Sequence, residues 1–205
     1  MDTFLKLNRQ KLTPAFFRTS LIFLGAVLIL MSVAYMTGNV PNGQLLLYVL
    51  IVACIGIPVL IMLLGYLIWQ VNHKGRLKAF AKTPFDQVDK IGFFKTHTGD
   101  TSKWSFTDEI KEGNINGFTL RMDMSKEKGQ RFIEFDIPVE WKKLDNGEFN
   151  RLTEEFKHYN AEFRIGSIAK HYDTRQQTIQ TISDLKRDLE LFTALLIKEG
   201  FEAKS

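Results

Sequence analysis

The sequence lacks charge over a long N-terminal segment. Between Arg18 and His73 there is no Asp, Glu, Lys, Arg or His, although 24% of the whole chain is charged. Soluble domains have about a quarter charged residues distributed along the chain, so an uncharged segment of this length excludes a purely soluble globule. The chain also has a single cysteine, Cys54, which excludes a disulfide scaffold. Its overall composition excludes a collagen-like or disordered chain.

Two apolar runs, 19–37 and 45–69, fill most of the uncharged segment. Each is close to the length of about 20 residues that a helix needs to cross a bilayer core of about 30 Å. Residues 38–44 between them are uncharged and rich in turn formers, so the sequence predicts a transmembrane helical hairpin over 19–70. A signal peptide cleaved after Ser32-Val33-Ala34 is the alternative for the first run, but the second run directly after it favours an anchor.

Positive charge is concentrated on both sides of this hairpin. Residues 1–18 carry a net charge of +3, residues 71–82 carry +4, and residues 83–205 carry −3. Because positively charged flanks stay in the cytoplasm, we expect an integral protein of the cell (inner) membrane with both termini cytoplasmic. The mild acidity of 83–205 argues against nucleic acid as a partner.

The basic flanks are also the first candidate binding surface. Residues 1–18 are interpreted as a basic cytoplasmic N-terminus, and 71–82 as a basic juxtamembrane linker. Side chains of this kind attract anionic lipid headgroups at roughly 1 kcal/mol per charge, and the same charges also set topology on their own. The predicted membrane-surface residues are Trp69, Lys74, Arg76, Lys78 and Lys82.

Residues 83–205 are predicted to form a cytoplasmic α+β domain. Apolar residues alternate with polar ones over 118–124 and again over 133–141, which is typical of an antiparallel hairpin with one buried face. Helical spacing follows over 149–159 and from 173 or 174 to 199, whereas 164–172 is read as a strand or a connector. Strands followed by helices, without alternation, predict an antiparallel sheet with helices on one face.

The last predicted helix has an apolar stripe that allows two interpretations. The stripe consists of Ile182, Leu185, Leu189, Phe192 and Leu196. Its spacing fits packing on the domain's own sheet, and it also fits a short heptad seam for a partner helix or a second copy of the chain.

Signals for chemistry are sparse. The four histidines share no metal-ligand spacing, and no glycine-rich phosphate loop is present, so no catalytic, cofactor or metal residue is nominated. Ser167 and Lys170 match the SxxK spacing of serine acylases, but the companion motifs are missing. We therefore expect a membrane-anchored binding, sensor or scaffold module with lipid and a possible protein partner. The alternatives are an effector whose hairpin oligomerises and perturbs the membrane, and third, a membrane-bound enzyme.

Overall fold

The computed structural model describes residues 2–39, 42–98, 106–125, 128, 131–140, 144–175 and 179–204. The chain forms two compact units. The helical unit comprises 1–71 together with 99–108, and the sheet unit comprises 72–98 together with 109–205. The start of the second domain, predicted at residue 83, stays a prediction, but residues 72–82 already belong to the sheet unit.

Two helices are long and apolar enough to cross a membrane, and residues 72–80 at the end of the second belong to the sheet unit. The first is α1 (Asp2–Met36). The second comprises α2 (Gly43–Ile51), a π-helical turn (Val52–Gly56) and α3 (Ile57–Phe80). Both helices extend beyond the apolar runs into the charged flanks, and α1 includes Pro14.

The π-helical turn lies next to a proline. Pro58 has no N–H group, so the carbonyl of Cys54, four residues earlier, loses its usual helical donor. Ser20 of α1 donates a hydrogen bond from Oγ to this carbonyl at 2.8 Å. A hydroxyl of one helix therefore satisfies a backbone group that the proline leaves open in the other.

A buried asparagine holds the segment before the sheet's second strand inside the helical unit. Asn8 is fully buried, and its Nδ2 donates to the Thr107 carbonyl at 3.2 Å while its Oδ1 accepts from the Thr107 N–H at 2.6 Å. The Trp69 indole N–H donates to the same carbonyl at 3.2 Å. The Phe106 ring lies 5.0 Å from the Phe4 ring, and a Cβ on Gly65 would lie 2.8 Å from Phe106. The side chains around Thr107 thus form a small polar and aromatic core.

The sheet unit is an antiparallel sheet with helices, as the sequence predicts. Strand order is β1-β2-β3-β4-β6-β5, and β7 pairs with β4. The elements are a 3-10 helix (Phe85–Ile91), β1 (Phe94–His97), β2 (Glu109–Ile115), β3 (Phe118–Met124), β4 (Phe132–Glu140), α4 (Asn146–His158), β5 (Ala161–Arg164), β6 (Ser167–Asp173), α5 (Ile182–Lys198) and β7 (Glu202–Ala203). Every pairing is antiparallel.

The last helix begins later than its sequence predicts. Residues from 173 were expected to be helical, but Asp173 ends β6, which pairs with β4. The segment 164–172 is accordingly strand for most of its length. Helix α5 begins after Thr181, whose Oγ1 accepts from the Asp184 N–H while the Asp184 carboxylate accepts from the Thr181 N–H. This reciprocal cap fixes the start of the helix. Asp173, where the sequence predicts helix, instead pairs with Phe132 of β4.

One face of the sheet packs against the helices. Leu120, Met122, Phe135 and Ile168 of the central strands are fully buried there, together with Phe156 of α4. The apolar stripe of α5 joins the same core. Leu185, Leu189, Phe192 and Leu196 are fully buried and Ile182 is partly buried. The structure therefore places the predicted stripe on the domain's own sheet.

Two leucines of α5 distinguish packing on the sheet from packing on a partner. Leu189→Ala should lower the free energy of unfolding by about 2–5 kcal/mol, because Leu189 is fully buried and its truncation leaves a cavity. Leu191→Ala is the matched control, since Leu191 is 57% exposed on the same helix. Thermal unfolding of the full chain in detergent, followed by near-ultraviolet circular dichroism, measures both. Equal losses in the two variants would contradict the packing described here.

Candidate functional site: the charged face of the sheet

Charged side chains occupy the sheet face opposite the helices. In β3 and β4 they alternate with the buried apolar residues, so the strand pleat directs them away from the core. Strand register places Arg121 opposite Asp136, and it places Asp123 and His171 on either side of Glu134. We call this surface the charged face. It consists of Glu112, Arg121, Asp123, Glu134, Asp136, Glu162, Arg164 and His171.

A bidentate ion pair lies at the centre of the charged face. The two terminal nitrogens of Arg164 each lie 3.0 Å from an oxygen of the Glu134 carboxylate. Only 8% of the Glu134 side chain is exposed, so the guanidinium has to replace the stabilisation that water would give the carboxylate. Arg164 also lies 3.4 Å from Glu162, which connects the pair to the sheet edge.

His171 lies beneath this pair and is buried. Its Nε2 lies 2.9 Å from Glu162 Oε1, and we assign the ring proton to Nε2 because a carboxylate can only accept. Burial lowers the pKa of His171, although the hydrogen bond to Glu162 opposes the shift. Burial alone would raise the pKa of Glu162, but His171 and Lys128 outweigh it and the net shift is downward. The folded protein therefore holds a neutral imidazole beside an ionised carboxylate.

A second ion pair connects α3 to the charged face. Arg76 Nε donates to Asp123 Oδ1 at 2.5 Å, and the Arg76 side chain is 3% exposed. Asp123 Oδ1 also accepts from the Met124 N–H at 2.6 Å. The last turns of α3 are thus fixed to the middle of the sheet by a buried charge pair.

Asp136 differs from the other carboxylates of this face. Its Oδ1 accepts a hydrogen bond from Ser167 Oγ at 2.6 Å. Burial raises the pKa of the Asp136 carboxyl, although Ser167 and the charge of Arg164 oppose the shift. A concavity of about 260 Å³ opens beside it and is lined by Thr98, Ile110, Arg121, Asp123, Glu134, Asp136 and Arg164.

The core face holds a separate buried charge. Lys170 Nζ lies 3.1 Å from Asp188 Oδ2 and donates to the Tyr159 carbonyl at 2.8 Å. Tyr172 donates from its hydroxyl to Asp188 Oδ2 at 2.5 Å. Burial lowers the pKa of Lys170 and raises that of Tyr172. This group fastens α5 to β6.

The SxxK pattern does not form a catalytic pair. Ser167 and Lys170 are three residues apart in a strand, so they point to opposite faces of the sheet. Ser167 bonds to Asp136 on the charged face, whereas Lys170 lies among aromatic rings on the core face.

The predicted membrane-surface residues have different surroundings. Lys74 and Lys78 are exposed. Lys82 is also exposed and donates from Nζ to Thr174 Oγ1 at 2.7 Å. Arg76 is buried in its pair with Asp123, and Trp69 is buried with its indole N–H on the Thr107 carbonyl. The four cations therefore do not form one uniform exposed patch.

Sequence reasoning missed the charged face. The available signal was the presence of charges of both signs at alternate positions in two neighbouring strands, Arg121 and Asp123 in one and Glu134 and Asp136 in the other. Alternating polar residues in an antiparallel sheet usually face water, so this pattern by itself predicts only a solvated surface. The burial of Glu134 and the partial burial of Asp123 depend on Arg164 and Arg76, which are distant from them in sequence.

Comparison with known proteins gives this site no family and no function. No protein-family model, curated protein or solved structure matches the chain. Among the described residues, no group of three or more His, Cys, Asp and Glu side chains is arranged to hold a metal ion.

The central ion pair should contribute strongly to stability. Arg164→Ala leaves the Glu134 carboxylate buried without its guanidinium, so we expect the free energy of unfolding to fall by on the order of 3 kcal/mol. Lys157→Ala is the control, because Lys157 pairs with Glu154 on the exposed side of α4 and both side chains are more than half exposed. Chemical denaturation of the full chain in detergent compares the two. A loss of stability for Arg164→Ala no larger than that for Lys157→Ala would show that the Arg164–Glu134 pair does not contribute strongly to stability.

The buried histidine should make stability depend on pH. Because the pKa of folded His171 lies below its usual value of 6.5, the unfolded chain takes up this proton first as pH falls. Stability should therefore decrease as pH falls through that value, with Glu162, Glu134 and Lys128 being the charged groups that face the ring. His171→Gln should flatten this part of the profile, as measured by unfolding temperature against pH. An unchanged slope in the variant would rule out His171 as its source.

Proposed function

We propose that the chain is a membrane-anchored binding module, whose helical hairpin holds it at the inner surface of the cell membrane and whose sheet unit takes a ligand on the charged face. The observation that carries the anchoring is the exposure of the apolar helices. In their most apolar windows only 6% and 11% of the residues are buried. In water an apolar surface of that extent would be exposed to solvent, whereas in a bilayer it contacts lipid.

The hydroxyl groups of α1, and that of Thr37 directly after it, support the same proposal. Thr19, Ser32 and Thr37 each donate to the carbonyl four residues earlier, at 2.8, 2.9 and 3.1 Å. Ser20 donates across to the Cys54 carbonyl. A helix in hydrocarbon needs its polar groups satisfied within the protein, and these bonds meet that requirement.

The binding role rests on the charged face. Ion pairs that are buried on an open sheet face are expensive to maintain for stability alone, because apolar residues of similar volume serve equally well. A concavity bordered by guanidinium and carboxylate groups is suited to a polar ligand. The ionic surface supports binding of a polar ligand as the role of this face.

Topology tests the anchoring. A reporter active only in the cytoplasm should be active when fused after Ser205, and one active only outside should work when inserted near Asn42, because the loop carries no positive charge. Alkaline carbonate should leave the chain in the membrane pellet. The pair Lys74→Gln and Lys78→Gln should weaken the orientation without unfolding the sheet unit, since both side chains are exposed and Arg76 is left in place.

Three results would contradict the proposal. Release of the chain by carbonate would remove the anchor, and an outside location of Ser205 would remove the cytoplasmic sheet unit. A stable oligomer in detergent, accompanied by dye leakage from vesicles, would instead favour the alternative in which the hairpin itself is the effector.

A further inference from the structure

Asp136 is the one carboxylate of the concavity for which the structure shows no cationic partner among the described residues. Ser167 donates to its Oδ1, and no ion pair joins it to a described Lys, Arg or His. The other carboxylates that line the concavity are matched, Asp123 by Arg76 and Glu134 by Arg164.

The nearest guanidinium is held away from Asp136 by a competitor. Arg121 is the direct cross-strand neighbour of Asp136. Its Nε instead lies 3.1 Å from Glu112 Oε2 on the other adjacent strand. Among the described residues, the pairs Arg121–Glu112, Arg164–Glu134 and Arg76–Asp123 each sum to zero, which leaves the Asp136 carboxylate as the lining acid outside an ion pair.

We propose that the concavity binds a small organic monocation, an ammonium or guanidinium group, whose N–H groups donate to the Asp136 carboxylate. This inference rests on the proposed function, because it names the ligand class for the binding site assigned there. A volume of about 260 Å³ is below the range of about 300–1,000 Å³ that drug-sized ligands occupy, so the cation is small.

The surroundings of Asp136 favour an organic cation over a metal ion. Ca²⁺ takes about 6–8 oxygen ligands, and Mg²⁺ demands a near-octahedral set. Here two of the three lining carboxylates are already engaged by guanidinium groups. A single carboxylate with directional acceptor oxygens suits N–H donors, and the Ile110 side chain, 5% exposed, provides an apolar contact for a carbon skeleton.

The test is isothermal titration calorimetry on the full chain in detergent micelles, with methylguanidinium and methylammonium as the cations. Methylurea is the neutral control of the same shape as methylguanidinium. We expect at least one of the two cations to bind and methylurea not to bind. Asp136→Asn should lower the association constant at least about tenfold, whereas Glu140→Gln, an exposed carboxylate at the end of the same strand, should leave it unchanged.

A second measurement needs no variant. Lowering the pH from about 7.5 to about 4.5 protonates carboxyl groups and not the probe, so affinity should fall as Asp136 takes up its proton. The groups that face Asp136 are Ser167, Arg164, Glu134 and Arg121. A loss of affinity on acidification supports the assignment, even where Asp136→Asn fails to fold, provided that near-ultraviolet circular dichroism shows the chain still folded at the lower pH.

Four outcomes would overturn the inference. They are absence of binding by both cations, equal binding of methylurea and methylguanidinium, undiminished binding by folded Asp136→Asn, and binding of Ca²⁺ in preference to both cations. Failure of the anchoring proposal gives a different result: carbonate would release the chain from the membrane, and the chain would still bind the cation probe.

Discussion

The pairing of charge across one sheet face is the constraint on which the sheet unit depends. Strands β3, β4 and β6 present apolar residues to the helices and charged or titratable residues to the other side, and Glu134 and His171 among them are almost wholly buried. A buried carboxylate without a partner is costly, so Glu134 requires Arg164 and Asp123 requires Arg76. The apolar core fixes which residues face outward, and the outward charges then fix where β5 and the end of α3 lie.

The same pattern of charge pairing explains why Asp136 has no ion pair among the described residues. Its cross-strand neighbour Arg121 has two carboxylates within reach, one on each adjacent strand, and contacts Glu112. Among the described residues, Asp136 is left with the hydroxyl of Ser167 as its hydrogen-bond donor and with no ion pair. Burial raises its pKa because desolvation disfavours the carboxylate, and the charges of Arg164 and Arg121 oppose the shift.

Periodicity was enough to predict the main elements. The alternation over 118–124 and 133–141 identified β3 and β4, and the stripe from Leu185 to Leu196 identified the buried side of α5. The site was not predictable in the same way. The Arg164–Glu134 contact joins residues 30 positions apart through a strand order in which β6 lies between β4 and β5, and alternation carries no information about strand order. Likewise, Asn8 and Thr107 are 99 positions apart, and a polar residue in a basic N-terminal segment gives no hint of a buried partner.

The two units solve the problem of polar groups in opposite ways. In the helical unit the hydroxyls of Thr19, Ser20 and Ser32 bond to backbone carbonyls and leave the outer surface to apolar side chains. In the sheet unit the charged groups satisfy one another on an outer face that stays polar. The first arrangement satisfies polar side chains within the helices so that apolar side chains face outward, whereas the second satisfies charged groups by pairing them with opposite charges. The same chain thus stabilises its polar groups by hydrogen bonds to backbone carbonyls in one unit and by ion pairs in the other.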